Sequence, residues 1–275
     1  MLPKITFRHA ACFTTVTQTN QRLDSRMKIA LLILVAAAIT ACISGIFGMA
    51  GGMIFMGIIA SVMGVAEAMV VHGAIQSVSN SSRAFMLRPD IRWDILGYKI
   101  IGALPAIALL AMVSFIPSKA ALFLVLGALP FVLWLPKGIF KGDAAKPRHA
   151  ALCGAMVMGL NLSAGVAGPA LDFFYVNTSL TRKEIVATKA VTMFVSHMIK
   201  ILYFGLPLIA AFGLTTLPPL WVFIAAVPCI IVGTYVGTRI LHRLSDVGFK
   251  SYTKYLVTVV GIIYLWRGVS LAGLI

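Results

Sequence analysis

Acidic residues are nearly missing. The 275-residue chain has 8 Asp plus Glu against 23 Lys plus Arg, a formal net charge of +15, and only 11% of its residues are charged. That is under half the roughly 25% usual in globular domains. With 60% hydrophobic residues beside it, so little charge cannot cover a water-soluble globule. A soluble enzyme is excluded, and so is intrinsic disorder. Catalytic signatures are missing too: there is no H-E-x-x-H, no Walker A sequence and no G-x-S-x-G. The chain therefore reads as a non-enzyme without a cofactor, and a primary pump would need its ATPase from another subunit. The four cysteines, Cys12, Cys42, Cys153 and Cys229, show no C-x-x-C spacing, and three lie inside apolar runs. They read as small packing residues, with neither a disulfide framework nor a metal site expected.

What is present is a series of apolar runs, roughly 29–47, 50–64, 67–87, 95–116, 119–136, 149–166, 169–179, 184–205, 218–238 and 251–271. About 20 apolar residues span a bilayer as a helix, and most of these runs are long enough. The basic residues sit between the runs rather than in one groove interleaved with aromatics, which speaks for a lipid bilayer and against nucleic acid as partner. Residues 1–27 are rich in Thr and basic residues with no insertable run. They read either as a tail or as an over-extended start ahead of Met27-Lys28. The run after Ile29 continues past Cys42, so it is a retained span rather than a cleaved signal.

The second and seventh runs are short, and each follows a glycine break: Gly45–Gly52 and Gly165–Pro169. A gapless offset of 117 residues superposes Gly48 on Gly165, Ala50 on Ala167, Gly51 on Gly168, Glu67 on Glu184 and Ser79 on Ser196, and sets Arg83 on Lys200. The order of segments is the same on both sides. This predicts an internal duplication, with 28–145 and 146–275 as two membrane repeats behind the 1–27 tail. The expected fold is an all-α polytopic membrane protein: about eight transmembrane helices in two homologous four-helix repeats, each with a Gly-rich broken or re-entrant segment. If each short segment dips in and returns without crossing, both termini share a cytoplasmic face with the Arg83–Lys99 region and the Lys137–Arg148 loop. Arg239, Arg243, Lys250 and Lys254 then fall on the opposite face.

Glycine clusters at membrane depth mark either tight helix packing or unwound backbone lining a cavity. In the second case the starts of the short segments, near Gly52 and Pro169, favour an anion. Gly48, Gly51, Gly52, Gly165 and Gly168 are the candidate residues of the breaks. In the run 67–87, His72, Gln76, Asn80 and Arg83 share one helical face with Ser79 adjoining. In the run 184–205, Lys189, Thr192, Ser196, His197 and Lys200 share a comparable face. A charge at the bilayer centre costs at least about 2.5 kcal/mol, so such stripes face protein or water. Both are cationic or neutral, which fits an anion path. Arg83, Lys189 and Lys200 also lie close enough to helix ends to snorkel outward. Glu67 and Glu184 read as helix caps, with Thr181–Glu184 a capping box. Asp172 reads as a proton acceptor or as a structural partner of Lys189 or Lys200.

The Gly45–Gly52 break, the stretch His72–Arg83, the turn Arg88–Trp93 and the second break Gly165–Pro169 together resemble the TauE/SafE sulfite exporter family over roughly residues 28–271. The second copy departs from the glycine run with Gly168-Pro169. The resemblance implies a multi-pass inner-membrane permease for sulfite, organosulfonates or related small organic anions. The residues alone reach a secondary transporter of a small anion. An anion channel and a non-transporting assembly subunit remain as alternatives, and homo-oligomerisation stays open.

Overall fold

The structure is a computed structural model that describes residues 6–47, 50–135, 142–175, 178–241 and 246–274. The described residues form helices and turns without a strand. In chain order they are α1 (Thr6–Phe47), α2 (Ala50–Val62), α3 (Val65–Met86), α4 (Trp93–Met112), α5 (Lys119–Ala128), α6 (Pro147–Ala164), α7 (Gly168–Phe173), α8 (Arg182–Phe212), α9 (Leu220–Leu241) and α10 (Asp246–Leu271). Among the described residues five stretches are long and apolar enough to cross a membrane: Asp24–Phe47, Trp93–Met112, Lys183–Phe212, Leu220–Gly237 and Lys254–Leu271. The polar stripe of α3 lowers its hydropathy, and α3 is shielded by its neighbours instead.

Local chemistry sets most helix ends. Thr181 and Glu184 form the expected capping box, with the Glu184 carboxylate accepting from the Thr181 N–H at 2.8 Å. Glu67 accepts from the Gly64 N–H at 3.1 Å and so closes the start of α3. Ser118 caps α5. The fifth run does not stay α-helical, because Pro130 falls inside it; Leu129–Trp134 tightens to a 3-10 turn. The stretch ahead of Met27, expected as a tail, is helical from Thr6 onward. Neither Gly nor Pro occurs between Thr6 and Ser44.

The largest pairings are α1 with α9, α4 with α6, α3 with α8 and α5 with α10. Glycine lets several backbones meet. A Cβ on Gly102 would overlap the Ala151 carbonyl, one on Gly154 the Lys99 carbonyl, and one on Gly237 the Cys42 carbonyl. Gly154→Ile should therefore lower the melting temperature of the detergent-solubilised protein by several degrees, an overpacking cost of about 1–3 kcal/mol. Gly97 on α4 has open space around it. Gly97→Ala should leave the transition unchanged or raise it.

The route of the chain differs from the expected one. α2 returns to the face of Arg26, where the apolar part of α1 begins: Arg26, Ile29, Met63 and Glu67 line one surface cavity with residues 215–219. Arg26 donates to the Thr215 carbonyl at 3.2 Å, and Thr216 donates to Glu67 at 3.0 Å. α7 likewise returns beside the start of α6, where the Ala144 N–H donates to the Phe174 carbonyl at 2.8 Å. α3 therefore begins on the face of Arg26 and carries Arg83 to the opposite one. There Arg92 of the following turn reaches Glu184 at 3.5 Å. α9 runs parallel to α1, with Gly233 against Ala38 and Gly237 against Cys42. Arg239 consequently shares the face of Arg83, Arg88 and Arg92. The expectation that the start of the chain shares a face with the Arg83–Lys99 region is overturned, and so is the placement of Arg239 on the other side. Hydropathy marks where a short segment is, not the face to which it returns.

Candidate functional site

α3 and α8 cross the middle of the bundle antiparallel. Glu67 meets Thr216 at one end, and Gly73 abuts Ile201 and His197 halfway along. Between them, and against the two breaks, lies a cavity of about 390 Å³. Gly52, His72, Gln76, Ser79, Asn80, Arg83, Gly168, Lys189 and His197 line it, together with Ser44, Gly45, Thr234 and an apolar wall that includes Ile46, Val166, Leu171, Val186 and Met193. His72, Gln76 and Asn80 recur every four residues on α3; Lys189, Met193 and His197 do so on α8. The cavity runs from His72 and His197 at mid-bundle toward Arg83 near the basic face.

The floor is a hydrogen-bonded chain. His72 Nε2 lies 3.0 Å from the Gly52 carbonyl, and Lys200 Nζ lies 2.8 Å from His72 Nδ1 and 2.8 Å from the Gly165 carbonyl. A carbonyl only accepts, so Nε2 carries the hydrogen and Nδ1 accepts from Lys200. Lys200 is fully buried and sits one layer behind the wall. Gly165 holds a left-handed φ of 75° and presses on Met56 of α2. The two breaks thus meet through His72 and Lys200. The His72 and His197 rings stack edge to face, 5.4 Å between centroids. His197 Nδ1, at the cavity wall, is buried without a partner among the described residues, as is the Asn161 amide of α6. Buried polar atoms are normally paired.

Charge around the cavity is lopsided. Lys189 forms an ion pair with Asp172 of α7. Arg83 has neither an ion pair nor a hydrogen bond among the described residues. Among the described residues Lys200 faces no carboxylate. A cationic cavity with no acid among its described lining residues suits an anion. Of Asp172's expected alternatives, the structure draws the salt bridge to Lys189.

Some candidates lie elsewhere. Gly48 falls outside the described residues. Gly51 is not among the lining residues; it backs onto the Thr40 carbonyl and Ser44 of α1. Ser196, with Thr192, turns toward a small second cavity between α4, α6 and α8. Gly165 reaches the site through its carbonyl only. The residue pattern does not single out Lys99 of α4, 2% exposed, which donates to the Tyr175 hydroxyl at 2.6 Å and to Thr192 at 3.3 Å. A lone cation inside a run counted as apolar was the available signal.

The family model described as sulfite exporter TauE/SafE matches residues 32–264. No curated protein and no solved structure matches the chain.

Proposed function

The chain belongs to the sulfite exporter TauE/SafE family, and from that premise we propose that it is a secondary transporter of small anions of the sulfite and organosulfonate kind, loaded from the basic face of the bundle. The observation that carries this reading is the cavity itself: among the described residues no carboxylate lines it, Arg83 stands on its wall without an ion pair, and Lys189, also on the wall, is held by Asp172.

We place the protein in the inner membrane with its basic face in the cytoplasm. The gathering of Arg83, Arg88, Arg92 and Arg239 on one face supports that orientation. We also read the halves 28–145 and 146–275 as repeats inserted in opposite senses, each with four helices and a short returning one. Exchanging α1 with α6, α3 with α8, α4 with α9 and α5 with α10 converts the α1–α9 pairing into α6–α4 and leaves α3–α8 and α5–α10 unchanged. The antiparallel crossing of α3 and α8 fits such inverted repeats, whose rocking about a central site exchanges its access.

The test is a flux panel in proteoliposomes with labelled sulfite, methanesulfonate, thiosulfate and chloride. Saturable uptake of the sulfur anions over chloride is expected. Conductance without saturation would make the protein a channel, and no anion flux would make it an assembly subunit. Asp172→Asn frees the Lys189 charge for the anion. It should lower KM by about threefold to tenfold, as an interaction of ~1 kcal/mol would.

A further inference from the structure

Anion loading leaves one feature of the site unused: a buried amine at the floor that faces no acid. Lys200 Nζ has two partners, His72 Nδ1 and the Gly165 carbonyl, each at 2.8 Å. The Gly52 carbonyl fixes the hydrogen of His72 on Nε2, so both partners of Lys200 are acceptors. A neutral amine has two N–H groups and satisfies both. An ammonium adds a third N–H and a full charge.

The surroundings decide what balances that charge. α3 brings His72 against Lys200, and α8 itself brings His197, whose Nδ1 has no partner among the described residues. α2 contains no titratable side chain from Ala50 to Val62. The α6–α7 break offers the Gly165 carbonyl, and Asp172 further along α7 is engaged by Lys189. α4 contributes Lys99, which is bound to Tyr175 and Thr192. Across the cavity stand Arg83 and Lys189, both cations. Among the described residues no free carboxylate faces Lys200 from any of these elements. An ammonium there is uncompensated until an anion occupies the cavity on the other side of His72 and His197.

We propose that the His72–Lys200 pair couples anion transport to protons, taking up one proton with each anion and releasing it when the anion leaves. One N–H bond forms at Lys200 Nζ as an O–H bond of a hydronium ion from the cavity breaks and leaves water; on the far side of the cycle that N–H bond breaks and its proton passes to water as hydronium. The pair also ties the two glycine breaks together, from the Gly52 carbonyl to the Gly165 carbonyl, so its charge state and the relation of the two halves are physically linked. This rests on the anion-transporter reading and specifies its coupling ion.

The experiment uses the full-length protein in proteoliposomes with an entrapped pH dye and a methanesulfonate gradient, with and without valinomycin and potassium to clamp the membrane potential. The wild type should acidify the lumen by one proton per anion, at a rate indifferent to valinomycin. Lys200→Met should lose the proton flux, and its remaining anion flux should become valinomycin-dependent. Lys200→Arg keeps both hydrogen bonds but cannot give up its proton. It should retain anion-for-anion exchange while net uptake falls at least tenfold. Should Lys200→Met fail to fold, Lys200→Arg and the wild-type ratio decide. Saturable wild-type uptake without proton movement would overturn the coupling and leave the anion reading standing. So would an unchanged proton ratio in Lys200→Met. Absence of saturable uptake of any anion would instead remove the reading beneath both.

Discussion

Arg83→Gln is expected to cut saturable anion uptake about 100-fold, within the 2–5 kcal/mol that losing one partner of a buried charge pair costs. Arg83 sits on the cavity wall near the end of α3 with no ion pair or hydrogen bond among the described residues. Lys189 opposite is already engaged by Asp172, and Lys200 lies behind the wall. Arg83 is therefore the cation with its full charge available to the solute. Arg83→Lys keeps the charge and loses the planar fork that grips an oxyanion at two points, so its defect should be about tenfold. The measurement is initial uptake against concentration in proteoliposomes, normalised to reconstituted protein. If Arg83 instead extends to the lipid headgroups, both variants will transport like the wild type.

Gly165→Val should destroy the site and much of the fold with it. Gly165 holds φ at 75°, a conformation that costs an L-residue roughly 1–2 kcal/mol and a β-branched one more. A Cβ there would come 2.7 Å from Met56 Sδ, so a side chain also overpacks the contact between the two breaks, adding about 1–3 kcal/mol. The Gly165 carbonyl holds Lys200. Any backbone shift that relieves the clash pulls on the chain of bonds through His72 to Gly52. Thermal unfolding in detergent should show the loss, and flux per folded molecule should fall further than stability does. Gly159→Ala, on α6 with open space around it, serves as the tolerated comparison.

The parts legible in the sequence are those set locally. Apolar runs mark the helices, glycine marks the breaks, and a four-residue spacing places His72, Gln76 and Asn80 on one wall. Thr181 and Glu184 announce their own cap. Legibility fails where a second element decides. Lys189 and His197 reach the cavity while Ser196, one position from His197, turns to α4 and α6. Such a stripe covers a wide arc of helix surface, and only the neighbours divide it. Lys99 resembled a loop cation until Tyr175 and Thr192 closed over it. Ser44 and Thr234 carry no signal of their own; α1 and α9 place them. The facing of the basic loops depends on where α2 and α7 return, which a hydrophobic profile does not contain.

The most direct test of the central claim, a water-filled cationic cavity entered from the basic face, is labelling of Ser79→Cys in a chain whose Cys12, Cys42, Cys153 and Cys229 are replaced by Ala. Ser79 lines the cavity between Gln76 and Arg83. In oriented membranes a charged, impermeant thiol reagent should modify it from the side of Arg88 and Arg92, and methanesulfonate should slow that modification. A Ser79→Cys thiol that stays unmodified from that side, or reacts at the same rate with and without the anion, would contradict the account.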